Sequence, residues 1–380
     1  MHILIISRSY PNKINKTSGN FIKNQVDALS KHNITIGVLG VYNVSILEVF
    51  KKKNFKELGW YNEQQKNINI LGFLYLVIPK LHFINNKIKY LIGKRVFNKY
   101  IKKYGKPDLI HLHTFEPGLI CIWAKKKYNI PFIVTEHTSL FQSKSYRTWH
   151  KNLALKVYSD SIYNIAVSKK SAVDLENRFL CKFSYLPNFV DTFGFKLKKN
   201  KTKKTFNFIN VAYLNKNKNQ KMLIDAFYKT FGNNENYQLT IVGKGREKNN
   251  LENQIIKLQT NNIRLYGYAE QEEISMLLQE SDCFTLSSNF ETFGLVIIEA
   301  MSCGLPVIST KCGGPESIIV NSKLGIICEK EDINKFSDAM KLIIKNNYDN
   351  KYIRNYAIEN FSYEFLSLKL INIYLKLFIN

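Results

Sequence analysis

The chain has 380 residues, of which 45% are hydrophobic, enough for two domains of roughly 150 to 200 residues each. Its most apolar run, residues 68–79, is about a dozen residues long and falls short of the ~20 that a membrane-spanning helix needs. The N-terminal apolar run has neither a basic leader nor a cleavage site, so it predicts a buried strand and a cytoplasmic protein.

The formal net charge is +25 and the pI is about 9.6. A nucleic acid, an anionic membrane or a phosphorylated substrate would each explain this excess, and so would a lysine-rich solvated surface. The cysteines form no C-x-x-C pair, so we expect reduced and mostly buried thiols rather than a zinc site or a disulfide framework. They are Cys121, Cys181, Cys283, Cys303, Cys312 and Cys328.

In the first half of the chain, short apolar runs alternate with longer amphipathic ones. This alternation of strands and helices predicts a parallel sheet wound on both faces. The predicted strands are residues 1–6, 35–39, 108–113, 131–136 and 164–167, with a helix over residues 20–31.

A proline at residue 187 and a lysine-rich stretch over residues 196–204 interrupt the pattern, which then restarts. We therefore predict a first domain over residues 1–190, a second over 200–362, and a C-terminal helix over 363–380 that packs on the first. Two such domains facing one another leave a cleft at the carboxyl ends of their strands, where ligands bind in this architecture. The predicted strands of the second domain are residues 206–211, 239–242, 263–266, 283–286, 306–309 and 325–328.

The most informative stretch joins a polar loop that carries Glu291 to a helix that carries Glu299. The helix start presents backbone N–H groups at Phe293, Gly294 and Leu295, which suit a phosphate. The two carboxylates can bind hydroxyls at two points along one extended ligand. Alternatively, they are an ordinary loop acid and an ordinary helix acid.

Three further residues follow strands at loop-to-helix turns. Lys218 follows the strand at 206–211, and Gly313 and Gly314 follow the strand at 306–309. All of them fall at the carboxyl ends of strands, where the cleft is expected. The Gly-x-Gly at 243–245 lacks the third glycine of a dinucleotide-binding fingerprint.

These motifs, taken in order, resemble the retaining family 4 glycosyltransferases. The resemblance covers nearly the whole chain and implies the GT-B fold, in which two Rossmann-like doubly wound domains face across a cleft. It also implies transfer of a hexose from a nucleotide-diphosphate sugar to a saccharide or lipid-linked acceptor, typical of cell-surface polysaccharide or glycolipid biosynthesis. The matching segments are residues 11–21, 108–113, 135–137, 166–168, 186–191, 211–227, 242–245, 267–268 and 291–306.

The resemblance also implies roles for residues at the nucleotide end of the donor. Glu299 would bind the ribose, and Gly313–Gly314 would lie close to the nucleotide. The diphosphate would lie between Lys218, the amides of residues 293–295 and the loop at Gly19. Positive groups at this point stabilise the charge that develops on the leaving phosphate.

At the sugar end, the resemblance implies that Glu291 holds hydroxyls of the transferred hexose and that His137 reaches it from the first domain. We take Glu291, His137 and Lys218 as the catalytic candidates, with His113 and His111 as weaker ones. The chain has no D-x-D motif for a divalent ion, so we expect neither a metal nor a cofactor.

One position departs from the family pattern. The family usually has an arginine five residues before the lysine, and here Tyr213 occupies that position. Either Lys218 and the helix N-terminus suffice for the diphosphate, or Lys244 or Arg246 contributes. Lowered activity is a third alternative.

Residues 80–106 interleave lysine and arginine with apolar residues at helical spacing and contain no acid. This pattern suits a helix lying on an anionic membrane, which would make the protein peripheral on the inner face of the cell membrane. It suits equally an amphipathic helix packed on its own sheet. No nucleic-acid-binding module is recognisable.

Two other functions fit the same scaffold, because fold alone does not determine function. A sugar-nucleotide epimerase would bind the same donor without an acceptor. A non-catalytic nucleotide-sugar-binding subunit would bind the donor without turnover. The spacing of Glu291 and Glu299 favours the transferase.

Overall fold

A computed structural model describes residues 1–45, 55–77, 81–141, 146–198 and 205–379. The chain divides into two compact units. Unit 1 comprises Met1–Val167, Ala172–Leu186 and Leu370–Asn380, and unit 2 comprises Ser168–Ser171 and Pro187–Lys369. Residues 199–204 of the lysine-rich boundary stretch, residues 78–80 and residue 380 lie outside the described residues.

In the described part of unit 1, the strands form one sheet in the order β3-β4-β2-β1-β5-β6-β7-β8. Every neighbouring pair is parallel except β3 and β4, which are antiparallel. The strands are β1 (His2–Ser7), β2 (Thr35–Val44), β3 (Gly59–Gln65), β4 (Ile68–Leu76), β5 (Leu109–His113), β6 (Phe132–Glu136), β7 (Tyr163–Ala166) and β8 (Ser184–Tyr185). Strands β5 and β6 are buried along their whole length, as expected for a parallel sheet covered on both faces.

The first helices cover this sheet and bury a core of aliphatic and aromatic side chains that includes Phe97, Tyr100, Phe115 and Tyr158. They are α1 (Asn20–Ser30), α2 (His82–Tyr104), α3 (Gly118–Tyr128), α4 (Thr148–Asp160) and α5 (Lys169–Phe179). The basic segment is therefore helical over most of its length, and none of the described helices combines the length and hydropathy that crossing a bilayer requires.

In the described part of unit 2, all strands are parallel and follow the order β11-β10-β9-β12-β13-β14. Counted within the unit, this is the doubly wound order 3-2-1-4-5-6. The strands are β9 (Phe206–Val211), β10 (Tyr237–Val242), β11 (Ile263–Gly267), β12 (Cys283–Leu286), β13 (Val307–Thr310) and β14 (Gly325–Cys328).

Helices follow most strands of unit 2, and the last one ends in the other unit. They are α6 (Gln220–Phe231), α7 (Lys248–Leu258), α8 (Gln271–Gln279), α9 (Leu295–Ser302), α10 (Ile333–Lys345), α11 (Asn350–Phe361) and α12 (Tyr363–Ile379). The predicted C-terminal helix is thus observed, but only its part from Leu370 onward belongs to unit 1.

Each sheet has a point at which the winding direction reverses. In unit 1 it lies between β1 and β5, and in unit 2 between β9 and β12. Loops that follow the two strands at such a point diverge to opposite faces and leave a crevice in which ligands bind. The loops after these four strands therefore determine where each unit can hold a ligand.

Candidate functional site

In unit 2 the loops that follow β9 and β12 are joined by hydrogen bonds. The Ser287 hydroxyl donates to the backbone oxygen of Lys218 over 2.8 Å, and the Asn289 amide donates to the backbone oxygen of Asn217 over 2.7 Å. The Asn217 side chain donates in turn to the backbone oxygen of Phe290 over 2.9 Å. The two loops at the crevice of this sheet thus form one connected surface.

On this surface the Lys218 ammonium donates to a carboxylate oxygen of Glu291. Both side chains are largely buried, with 21% and 16% of their area exposed. Sequence reasoning placed Lys218 at a phosphate and Glu291 at a sugar, and the structure brings the two side chains together. A ligand at this crevice would therefore meet a fixed cation and a fixed hydrogen-bond acceptor side by side.

Helix α9 begins at the edge of this surface. Gly294, at its N-cap, has φ +103°, a left-handed conformation that favours glycine. The preceding residue, Phe293, is buried, and Leu295 opens the helix. The N-terminus of a helix carries a partial positive charge and unpaired amides, so this end of α9 suits an anion.

Gly313 and Gly314 have their backbone amides engaged within the protein. The Gly313 amide donates to the Glu316 carboxylate over 2.9 Å, and the Gly314 amide donates to the backbone oxygen of Glu291 over 2.8 Å. A Cβ on Gly314 would lie 2.3 Å from the backbone oxygen of Phe293. Gly314 thus allows the close approach of the two loops, and neither glycine presents a vacant amide to a ligand.

Glu299 lies on α9, partly buried, and its carboxylate makes no hydrogen bond or ion pair among the described residues. Desolvation by burial raises the pKa of Glu299 to about 7. A carboxylate in this state gains from a ligand that donates hydrogen bonds to it, as ribose hydroxyls do.

At the position where the family has arginine, Tyr213 is 52% exposed. The neighbouring Gly-x-Gly loop packs tightly on this segment, since a Cβ on Gly243 would lie 1.9 Å from the backbone oxygen of Ala212. The Lys244 backbone oxygen accepts from the Leu214 amide over 2.9 Å, which places Lys244 beside the same segment. Its ammonium lies 3.7 Å from the centre of the Tyr268 ring.

In unit 1, the carboxylate of Glu136 organises the loop that carries His137. One oxygen accepts from the amides of His137 and Thr138, over 2.9 and 2.8 Å. The other accepts from the Phe115 amide over 3.1 Å and from the Tyr158 hydroxyl over 2.6 Å. Sequence reasoning gave Glu136 no role, although an acid at the end of an apolar strand is a signal of such a buried acceptor.

The His137 ring lies against the rings of His113 and Phe21. Its Nε2 is 2.9 Å from Nδ1 of His113, with the two rings nearly parallel, and the Phe21 ring centre is 4.8 Å away. His113 is fully buried, and desolvation lowers its pKa well below the usual value. A neutral His113 therefore shares one proton with His137 across this bond and fixes the orientation of its ring.

Gly19 and His111 lie nearby in unit 1 and support the surrounding structure. Gly19 is the N-cap of α1 with φ +72°, and a Cβ there would lie 2.5 Å from the backbone oxygen of Ser9. The two His111 nitrogens are both engaged, with the Tyr374 hydroxyl at 2.6 Å and the Thr135 hydroxyl at 2.7 Å. Burial lowers the pKa of His111 to about 3. His111 therefore acts as a neutral link within the core.

Among the residues that the structure describes, no group of three or more His, Cys, Asp or Glu side chains could hold a metal ion. The expectation of a metal-independent site stays a prediction.

Two family models match the chain and together cover residues 59–360. Residues 191–360 match the model described as glycosyl transferases group 1, and residues 59–192 match the model described as glycosyltransferase family 4. An uncharacterised glycosyltransferase of Methanocaldococcus jannaschii is 26% identical over 270 residues, covering 68% of this chain and 72% of that protein.

Solved structures show the same fold. Sucrose-phosphate synthase from Thermosynechococcus elongatus has a TM-score of 0.79 at 16% identity, covering 100% of this chain and 99% of that one. HepE of Anabaena, solved in complex with UDP, has a TM-score of 0.73 at 17% identity, covering 99% and 100% of the two chains. This chain belongs to the family 4 glycosyltransferases and is a transferase enzyme of the GT-B fold.

Proposed function

We propose that this enzyme transfers a hexose from a nucleotide-diphosphate sugar to a saccharide or lipid-linked acceptor, with retention of anomeric configuration. The observation that carries the proposal is the Lys218–Glu291 pair beside the N-terminus of α9, at the crevice of unit 2. The crevice offers a cation and a helix N-terminus to a diphosphate, and a carboxylate to sugar hydroxyls.

The difficult step is cleavage of the anomeric C–O bond, which leaves negative charge on the diphosphate. The ammonium of Lys218 and the amides at residues 293–295 are groups already positioned to stabilise that charge. Because Lys218 is held by Glu291, its position does not have to be established during the reaction. We also propose Lys244 as a second source of positive charge beside Tyr213, since its backbone is tied to that segment.

In this proposal Glu299 binds the ribose and Glu291 binds hydroxyls of the hexose. His137, held by His113 and by the loop bonds of Glu136, contacts the hexose. The acceptor hydroxyl attacks on the face from which the diphosphate leaves, and the leaving phosphate takes the proton of that hydroxyl. The net configuration at the anomeric carbon is then retained.

Position on a membrane is a further part of the proposal and rests on α2. The second half of this helix packs its apolar side chains inward, with Val96, Phe97 and Tyr100 fully buried. In the first half, Ile84 and Leu91 are 43% and 50% exposed. Exposed apolar side chains among lysines suit an anionic lipid surface, which fits a role in cell-surface polysaccharide or glycolipid assembly.

Co-sedimentation with vesicles containing anionic lipid tests the membrane contact. We expect binding at low salt that weakens when both Ile84 and Leu91 are changed to serine. Equal sedimentation of this variant and the wild type would contradict a contact through α2. Absence of binding by the wild type would remove the membrane from the proposal.

Thermal-shift measurements with nucleoside diphosphates and their sugars test the donor. UDP is the first choice because HepE, with the same fold, was solved with UDP. A ligand at 100 times its Kd stabilises the protein by about 2.7 kcal/mol, a shift of a few degrees. We expect one nucleotide to stabilise the wild type and Glu299→Ala to lose the response. No response to any nucleotide would contradict the proposal.

Turnover separates the transferase from its alternatives. A transferase releases the nucleoside diphosphate and forms a new glycoside when an acceptor is present. An epimerase would convert the donor sugar without an acceptor. A binding subunit would show the thermal shift and no turnover on any acceptor.

A further inference from the structure

An ion pair occupies the crevice of unit 1, where the winding direction of its sheet reverses. Arg8 directly follows β1 and Glu116 follows β5, the two strands on either side of the reversal. The Arg8 Nη1 atom lies 2.6 Å from Oε1 of Glu116. Arg8 has 65% of its side chain exposed, whereas Glu116 has 16%. The pair is therefore reachable from solvent on its cationic side.

The second oxygen of Glu116 is unsatisfied within the described part of the chain. Oε2 is buried and makes no hydrogen bond with any residue that the structure describes. Leaving a buried carboxylate oxygen unsatisfied is unfavourable, whereas a donor supplied by a ligand would satisfy it.

Positive charge around Glu116 exceeds what one carboxylate neutralises. Lys89 of α2 lies close enough to the pair for both charges to change its pKa: Glu116 raises the pKa of Lys89 and Arg8 lowers it. The largest effect on the pKa of Lys89 is desolvation, which lowers it to about 8. Arg147, at the start of α4, is exposed and adds a third cation to the same neighbourhood. Arg8, Lys89 and Arg147 outnumber the two acids of this neighbourhood, Glu116 and the adjoining Glu136, and so leave a net positive charge for an anionic ligand.

The first turn of α4 adds an aromatic surface. The Trp149 ring stacks on His150 with the ring centres 3.6 Å apart, and Trp149 is 39% exposed. His150 Nδ1 accepts from the Arg147 amide over 3.1 Å, so the proton of the neutral ring lies on Nε2. Desolvation lowers the pKa of His150, which keeps the ring neutral and able to donate from Nε2. An exposed tryptophan beside polar groups offers an apolar platform to the face of a sugar ring.

We propose that this crevice in unit 1 binds the acceptor, and that the acceptor carries a phosphate or carboxylate on or next to its sugar ring. The anionic group is bound by Arg8, Lys89 and Arg147, the sugar ring lies against Trp149, and a ring hydroxyl donates to Oε2 of Glu116. This inference rests on the proposed function, because it assigns the second substrate of the same transfer. All the residues of this acceptor site belong to unit 1, whereas Lys218, Glu291 and Glu299 of the proposed donor site belong to unit 2.

Ligand-observed NMR with three probes tests the inference. The probes are glucose 6-phosphate, glucuronic acid and glucose, each measured with saturating UDP so that the donor site is filled. We expect both or one of the anionic probes to bind about tenfold more tightly than glucose, which corresponds to about 1.4 kcal/mol. Preference for glucose 6-phosphate would identify a phosphate, and preference for glucuronic acid would identify a carboxylate.

Variants assign the binding to these residues. Arg8→Gln and Lys89→Met should each lower the affinity for the anionic probe about tenfold, as expected for a lost charge-assisted contact. Neither variant should change the affinity for glucose. Trp149→Ala should weaken all three probes. Lys126→Gln, an exposed lysine of α3, removes the same charge elsewhere in unit 1 and should have no effect. If Arg8→Gln destabilises the fold by leaving Glu116 unpaired, the double variant with Glu116→Gln removes the charge pair as a whole.

Equal affinity for glucose and both anionic probes would overturn the inference. The inference would also be overturned if Arg8→Gln and Lys89→Met bound the anionic probe as tightly as Lys126→Gln does. A thermal shift with UDP on the same samples separates the two proposals. If UDP binds and no probe does, the acceptor assignment fails alone. If UDP does not bind, the donor proposal fails. The anion site is then still tested by whether Arg8→Gln lowers the affinity for the anionic probe.

Discussion

The raised pKa of Glu299 predicts that nucleotide binding depends on pH in the neutral range. The side chain has a pKa of about 7 because it is desolvated without a compensating charge. As the pH falls from 8 to 6, the ionised fraction drops from about nine tenths to about one tenth. A carboxylate accepts hydrogen bonds from ribose hydroxyls better than the protonated acid does. We therefore expect UDP to bind about tenfold more weakly at pH 6 than at pH 8 because of Glu299.

Isothermal titration calorimetry at pH 6, 7 and 8 measures this effect, with Glu299→Gln as the matched variant. The UDP phosphate also changes its charge in this range, but it does so equally for both proteins. The ratio of wild-type affinity to variant affinity therefore reports on the carboxyl group alone. We expect the ratio to rise about tenfold between pH 6 and pH 8. A ratio independent of pH, or one that falls, would refute the assignment of Glu299 to the ribose.

The same pKa has a consequence for the stability of the free enzyme. Since the folded-state pKa lies above the unfolded value of 4.5, the folded protein binds more protons between pH 4.5 and 7. The contribution of Glu299 to the free energy of unfolding is therefore most favourable below pH 4.5 and is lost as the pH rises through 7. We expect Glu299→Gln to raise the Tm at pH 8 relative to the wild type and to leave it unchanged near pH 4.5. A variant less stable than the wild type at pH 8 would show that the carboxylate is not desolvated.

Four further changes test other parts of the site. Lys218→Met should lower turnover at least about a hundredfold, because the leaving diphosphate loses its cation. Lys216→Met, in the same loop, should leave turnover unchanged. Equal kcat values for Lys218→Met and the wild type would contradict the role of Lys218. Gly294→Ala should destabilise the protein by about 1 to 3 kcal/mol, because any side chain at φ +103° is strained. The same variant should bind UDP more weakly in calorimetry. Gly105→Ala, at φ +88°, should cost similar stability in chemical denaturation without changing UDP affinity. Glu136→Gln should reduce kcat more than UDP affinity, since it disturbs the loop bonds around His137, which we propose to contact the hexose. Loss of UDP binding with kcat unchanged would argue against this. Treatment with EDTA should leave turnover unchanged, and loss of activity that magnesium or manganese restores would show that a metal is required.

The sequence pattern predicted the strands of unit 2 closely, because buried parallel strands are continuous apolar runs. Strands β9, β12 and β14 have the predicted bounds. Strand β3 was missed because Gly59–Gln65 is a polar segment with mostly exposed side chains at the edge of the sheet. Edge strands lack the burial that makes apolar periodicity visible.

For the candidate site, the sequence placed single residues at strand ends but did not show which of them meet. Lys218 and Glu291 are 73 positions apart, and they meet because β9 pairs with β12. Arg8 and Glu116, 108 positions apart, meet because β1 pairs with β5. Strand order is set by packing over the whole sheet, so local patterns carry little information on such pairs. The sequence likewise did not show that the Gly313 amide donates a hydrogen bond to Glu316, because this bond depends on the shape of one turn.

The final helix affects the order in which the protein can fold. Helix α12 begins in unit 2, and from Leu370 onward it belongs to unit 1, where Leu370 and Tyr374 are fully buried. The Tyr374 hydroxyl bonds to His111, which is synthesised 263 positions earlier. The core of unit 1 thus lacks part of its packing until all of unit 2 has left the ribosome. Co-translational folding, which ordinarily completes the N-terminal domain first, would here finish both units together.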